Sequence, residues 1–101
     1  EQLRWKRTGA HNLIPMQATS QQTSDSTIYV IGGYRQSSTG DVAVMSDCQA
    51  IDANLSVYER EKMKTPRFGA PLALIRDRFI LAISGCTAAG SQTKHCEAFD
   101  T

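Results

Sequence analysis

The chain repeats itself, and that constrains its fold more than any other feature. Arg7-Thr8-Gly9-Ala10 is echoed 60 residues later by Arg67-Phe68-Gly69-Ala70. Ile28-Tyr29-Val30-Ile31-Gly32-Gly33 returns after 52 residues as Ile80-Leu81-Ala82-Ile83-Ser84-Gly85. Cys48-Gln49-Ala50-Ile51-Asp52 returns after 48 as Cys96-Glu97-Ala98-Phe99-Asp100. The order of landmarks is kept, and the drift in spacing is what insertions in surface loops produce. A period of this length, in which an apolar strand ends in paired glycines, marks a repeated β module. One such unit cannot hide both faces of its sheet, so it is expected to stack on neighbours.

Local patterns agree. Residues 27–31 are β-branched and aromatic and stop at Gly32-Gly33, which punctuate a turn. Residues 72–75 and 79–83 are apolar runs around Arg76-Asp77-Arg78, the pattern of a hairpin with a charged tip. Residues 41–51 are expected to hold a strand with Val42, Val44, Cys48 and Ala50 alternating toward one face. Near-continuous apolarity at residues 28–31 and 80–83 predicts strands covered on both faces. Only residues 58–64 have helix-forming composition, and they are short and lack an apolar stripe. The polar stretches 17–26, 35–40 and 87–93 read as loops, the first accounting for most of the drift.

Bulk properties narrow the partners. With 11 basic and 10 acidic residues spread along 101, the chain lacks the basic stripe of a nucleic-acid binder. Its one basic cluster, Arg4-Trp5-Lys6-Arg7, reads as a solvated connector. No apolar run approaches the length of a membrane span. The chain opens on Glu1 and reads as a piece of a longer protein. Cys48 and Cys96 fall at equivalent positions and are expected to be small buried hydrophobes, with Cys86 close enough in sequence to reach Cys96 across a hairpin. An odd count of three cysteines is read as free thiols in an intracellular, cytoplasmic or cytoskeletal setting.

The ordered set of landmarks resembles kelch repeats. In that family a blade opens near an Arg-x-Gly-Ala-like segment, and its second strand ends in Gly-Gly. An aromatic on the third strand is followed, after six residues, by one on the fourth. Ile51 and Tyr58 stand at that spacing, and Met63 and then Pro66-Arg67 follow in the family's order. Ile51 replaces the usual Tyr, Tyr58 the usual Trp, and Ser84 a glycine. The resemblance covers residues 7–100. It implies an all-β chain of four-stranded antiparallel β-propeller blades forming an incomplete propeller. Residues 1–64 would be the first blade and 65–101 a second that lacks its last strand. It further implies that Gly32, Gly33 and Gly85 allow tight strand exits where a neighbouring backbone comes close. Ile51, Tyr58 and Phe99 would pack blade on blade. Arg7 and Arg67 would pair with a carboxylate such as Asp52 or Asp100, or hydrogen-bond turn carbonyls.

No catalytic constellation is visible. His11 and His95 lie in different units, no serine sits in a nucleophile elbow, and Cys86, His95 and Cys96 lack the paired spacing of a zinc site. Gly32-Gly33 is no phosphate cradle, since no helix follows it. The candidate contacts are Tyr34, Arg35 and Gln36, just past the glycines, and Arg76 and Arg78 at the hairpin tip. The segment from Gly33 to Ser37 is similar to the loop with which some kelch propellers of ubiquitin-ligase adaptors grip acidic peptides. Arg35 would fork onto a carboxylate and Tyr34 supply a rigid contact. The expectation is a non-enzymatic protein-interaction or structural scaffold without cofactor, nucleic acid, membrane or small-molecule substrate. Its partners would be proteins and the remaining blades, from the same chain or other subunits, within a cytoskeletal, ciliary or ubiquitin-ligase-adaptor assembly. The rival is a fragment of a kelch-type copper oxidase, which would have to cluster Tyr34, Tyr58, His11 and His95 near the propeller axis.

Overall fold

The structure, a computed structural model, describes Trp5, residues 14–88 and residues 91–101. The strands follow in order as β1 (Thr19–Gln22), β2 (Ile28–Ile31), β3 (Tyr34–Gln36), β4 (Val42–Val44), β5 (Cys48–Ile51) and β6 (Val57–Arg60). They continue as β7 (Leu72–Ile75), β8 (Phe79–Ile83), β9 (Cys86–Ala88), β10 (Ser91–Gln92) and β11 (Cys96–Asp100). The described residues contain no helix, and every strand pair is antiparallel, so the chain is all-β as expected. The first large sheet runs β1-β2-β5-β6 and the second β11-β8-β7. Each sends out a two-stranded hairpin, β3-β4 from the first and β9-β10 from the second.

Turn chemistry sets the registers. Asp25 accepts hydrogen bonds from the Thr23 hydroxyl and, at 3.1 Å, from the Thr27 amide, closing the β1-β2 turn. Asp52 Oδ1 accepts from the amides of Asn54 (2.9 Å) and Ser56 (3.0 Å), an Asx turn that reverses the chain between β5 and β6. The expected hairpin over residues 72–83 forms, with Leu74 opposite Ile80 and Ile75 opposite Phe79.

The two sheets share one register. Ile28 pairs with Ile51 and Ile31 with Cys48, while Ile80 pairs with Phe99 and Ile83 with Cys96. The shift of 52 also relates the isolated bridges Met16–Tyr34 and Phe68–Cys86. It relates Gln17 (φ 53°) to Gly69 (φ 67°) as well, both in the left-handed region. Arg67 therefore has Pro15, not Arg7, as its counterpart, and Arg7 lies outside the described residues. The echo spaced by 60 is out of structural register. The remaining drift, from 52 to 48, falls between Gly33 and Cys48, in the longer β3-β4 hairpin.

Several stretches differ from their sequence-based reading. Residues 17–26, read as a loop, contain β1, a polar edge strand held by its ladder to β2. Residues 41–51 hold two strands in two different sheets, β4 and β5, so Val42 and Cys48 do not share a face. The helix-forming composition at residues 58–64 forms no helix; its first part belongs to β6, because pairing with β5 overrides a weak local propensity.

Directly paired residues point to the same side of a sheet. Tyr29, Ile31, Cys48 and Ala50 form the buried face of the first sheet. They meet Ile80 of the second, together with Leu72, Leu74 and Phe99. The Tyr29 and Phe99 rings lie 5.7 Å apart, and the Arg60 guanidinium sits 5.6 Å above the Phe99 ring. Phe99 thus packs one sheet against the other. Ile51 does not contribute to this contact, because it pairs with Ile28 and Val57 on the side facing away. Tyr58 stays 53% exposed on the edge strand. Strands β2 and β8 are each well buried on one face and only half-buried on the other, against the expectation of two covered faces. Ile80, 1% exposed, is central to the contact. Ile80→Ala should cost about 2–5 kcal/mol of unfolding free energy, read as a lowered urea midpoint with an unchanged slope.

Candidate functional site

The geometry begins at Gly32-Gly33, where β2 ends with φ of 71° and 107°. A Cβ on Gly32 would stand 2.3 Å from the Arg67 carbonyl oxygen, a distance no side chain survives. That carbonyl accepts the Gly33 amide at 2.9 Å, and the Arg67 amide donates to the Met45 carbonyl at 3.1 Å. The backbone of Arg67 is therefore tied to the residues just past β2 and β4, where the β3-β4 hairpin leaves and rejoins the first sheet. Its side chain, 0% exposed, belongs to the second. Nη1 donates to the carbonyls of Ser84 (2.8 Å) and His95 (2.7 Å), and Nη2 to Glu97 Oε2 (2.8 Å). Glu97 also accepts the amides of Lys64 (2.7 Å) and Thr65 (2.8 Å).

Of the roles expected for Arg67, the turn carbonyls are realised, while the carboxylate is Glu97 rather than Asp52 or Asp100. Asp52 is taken up by its own turn, and Asp100 binds Arg78 through two bonds of 2.8 and 2.9 Å. Partial burial by itself would raise the Glu97 carboxyl. The amides of Lys64 and Thr65 and the Arg67 charge outweigh that and hold it below its ordinary 4.5.

This junction places two hairpins side by side at one end of the sheets. Tyr34, Gln36, Val42 and Val44 occupy one face of the β3-β4 hairpin. With Pro66 and Phe68 beneath them and Thr87 opposite, they line a groove of about 800 Å³. Tyr34 meets Phe68 edge-on, ring centroids 5.4 Å apart. Val42 is 56% exposed within it. Of the three residues expected near the glycines, Tyr34 and Gln36 line the groove. Arg35 does not, since alternation along β3 turns it to the other side, 3.9 Å from Asp47, which Lys62 also contacts at 3.2 Å.

Arg76 and Arg78 lie at the opposite end, in the β7-β8 turn, and are not brought near the groove. Arg78 lies 5.0 Å over the Phe79 ring, and its bonds to Asp100 raise the Arg78 pKa and lower that of Asp100. Asp77 accepts the Ser24 amide at 2.9 Å and the Ser24 hydroxyl, joining the two turn ends. Sequence reasoning missed Phe68, Val42 and Val44. Phe68 carried a signal, being the one aromatic in the repeated Arg-x-Gly-Ala segment.

The three cysteines are free. Cys48 is buried, and desolvation pushes its thiol up to about 11 despite the nearby Arg60 charge. Cys96 is exposed, contrary to the expectation that both equivalent cysteines are buried, because nothing among the described residues covers that face of the second sheet. Among the described residues no group of three His, Cys, Asp or Glu side chains is placed to hold a metal ion. No described helix is long and apolar enough to cross a membrane. His11 lies outside the described residues. No family model matches the chain, and no curated protein matches it either.

The Glu97 cluster predicts a pH dependence. A carboxyl whose folded pKa is depressed adds stability that is complete above its unfolded value, here about 4.5, and is lost as pH falls through the folded value. Urea midpoints measured from pH 7 downward should fall below about pH 4.5. Glu97→Gln should lower the midpoint at neutral pH and flatten that acid limb.

Proposed function

We propose that this chain is a non-enzymatic protein-interaction scaffold built from blades of the kelch-propeller type, working within a larger assembly of the cytoskeletal, ciliary or ubiquitin-ligase-adaptor kind. The residues at 1–64 and 65–101 are the first blade and a second without its fourth strand. The reading is supported by two consecutive antiparallel sheets that share strand order and register, each leaving its second strand through a left-handed pair and each emitting a hairpin at the same end. A shared shift between stacked units is the signature of a repeat array rather than of two unrelated sheets.

The observation that carries the functional part is the groove between the hairpins. Its aromatic pair, Tyr34 and Phe68, is fixed from beneath by the Arg67 junction, and exposed Val42 forms a wall. Rigid aromatics flanked by small polar groups suit an apolar protein segment, since pre-ordered side chains lose little entropy on binding. Arg35 faces away from the groove, 3.9 Å from Asp47, so the segment that the groove itself favours is apolar rather than acidic.

A photocrosslinking residue at position 42 tests this in the cell's own protein. It should capture a discrete partner, one at Arg76 should not, and Phe68→Ala should weaken capture about tenfold or more. Equal capture from both positions, or capture indifferent to Phe68, would refute the groove.

A further inference from the structure

We infer that the partner protein's segment enters the groove as an extended strand, adding itself to the open edge of β4. The inference rests on the groove proposed above and names the form in which its occupant is held. Strand β4 is the outer strand of its hairpin and pairs with β3 alone. The phase of that pairing decides which backbone groups face outward. The Ser37 amide donates to the Asp41 carbonyl and the Met45 amide to the Gly33 carbonyl, each at 2.8 Å. Hydrogen-bonded pairs alternate along an antiparallel ladder, so Arg35 and Ala43 form the next such pair. Tyr34–Val44 and Gln36–Val42 are then the pairs without mutual bonds. Tyr34 agrees, because its amide and carbonyl turn away from β4 and exchange two bonds of 2.8 Å with Met16. The amides and carbonyls of Val42 and Val44 therefore turn away from β3, and among the described residues no hydrogen-bond partner meets them.

Edge and groove coincide in the same two residues. The side chains of Val42 and Val44 line the groove, while their backbones offer two donors and two acceptors along one line. Nothing guards this edge. Strand β4 reads Val-Ala-Val, without charge, proline or bulge, whereas the edge strand β6 carries Glu59 and Arg60. The opposite edge of the hairpin already takes up chain in this manner, from Met16.

The chemistry of the occupant follows from the alternation of a strand. Laid on β4, a segment places every second side chain beside Val42 and Val44, facing the groove. The side chains between them fall on the side of Ala43 and Arg35, away from it. The segment recognised is therefore apolar at alternate positions and polar between them, with free amides along one edge. Main-chain bonds to β4 supply affinity, and the groove beneath selects the side chains.

A blocked peptide of alternating valine and threonine, titrated into the intact chain and followed by NMR, tests this. Binding should slow hydrogen exchange at the Val42 and Val44 amides about tenfold or more. Two isomers of the peptide, N-methylated at either the valine or the threonine amides, keep the same side chains but block opposite edges. One of them should bind about tenfold or more weakly than the other. Val42→Pro removes an outward donor and leaves the ladder to β3 intact, and it should weaken the unmethylated peptide to a similar degree. Binding that responds to Phe68→Ala but treats both isomers alike, or leaves both valine amides exchanging freely, would overturn strand addition and leave the groove standing. Binding indifferent to Phe68→Ala would overturn the groove and this inference together. A peptide that fails to bind at millimolar concentration would overturn strand addition, while capture from position 42 would still speak for the groove.

Discussion

A single buried guanidinium holds this molecule in one arrangement. Arg67 ties its backbone to Gly33 and Met45, where the β3-β4 hairpin meets the first sheet, and extends its charge into the second, onto Ser84, His95 and Glu97. A cation without solvent exposure is tolerable only when its donors are satisfied, and here carbonyls and a carboxylate do that together. Removing one partner of such a pair typically costs about 3–5 kcal/mol, because the other is left charged and buried. Non-directional apolar contact between Tyr29, Ile80 and Phe99 draws the sheets together. The directional bonds of Arg67 decide how they sit, and they require a glycine at position 32.

From that junction the remainder follows in sequence. With the two sheets stacked in a common register, their hairpins emerge at the same end, and Phe68, next to Arg67, is pressed against Tyr34. The β3-β4 tip is tied locally: Ser37 and Thr39 share a hydrogen bond of 2.8 Å, Thr39 donates to Asp41 at 3.1 Å, and Gly40 takes φ of 91°. The groove is framed by short hairpins on the base that the Arg67 junction fixes. The opposite end is closed by Arg78 on Asp100 and Ser24 on Asp77. The two ends of the sheets therefore differ in character, one open and apolar, the other charged and self-satisfied.

The central strands were legible because residues 28–31 and 80–83 are continuous apolar runs closed by turn residues, a signal that survives any context. Thr19–Gln22 was not, because a polar edge strand is made by its partner's hydrogen bonds rather than by its own composition. The hairpins hid in polar stretches for the same reason. The echo at Arg7 misled because a four-residue identity can recur outside structural register, and only the pairing of Phe68 with Cys86 shows that Pro15 is the counterpart of Arg67. The location of Tyr34 and Gln36 was anticipated from the glycines before them. The orientation of Arg35 was not, since it depends on which side of β3 faces the groove. Glu97 escaped notice because its role depends on Arg67, 30 residues earlier in the connection between β6 and β7.

The stacking itself can be observed directly in solution. A two-dimensional NOE spectrum of the isotope-labelled protein should show cross-peaks between the rings of Tyr29 and Phe99, together with a slowly exchanging Arg67 guanidinium near the backbone of Ser84 and His95. Sheets that form with their ladders intact but show no Tyr29–Phe99 contact, or an Arg67 side chain exchanging at the rate of an exposed arginine, would contradict the account.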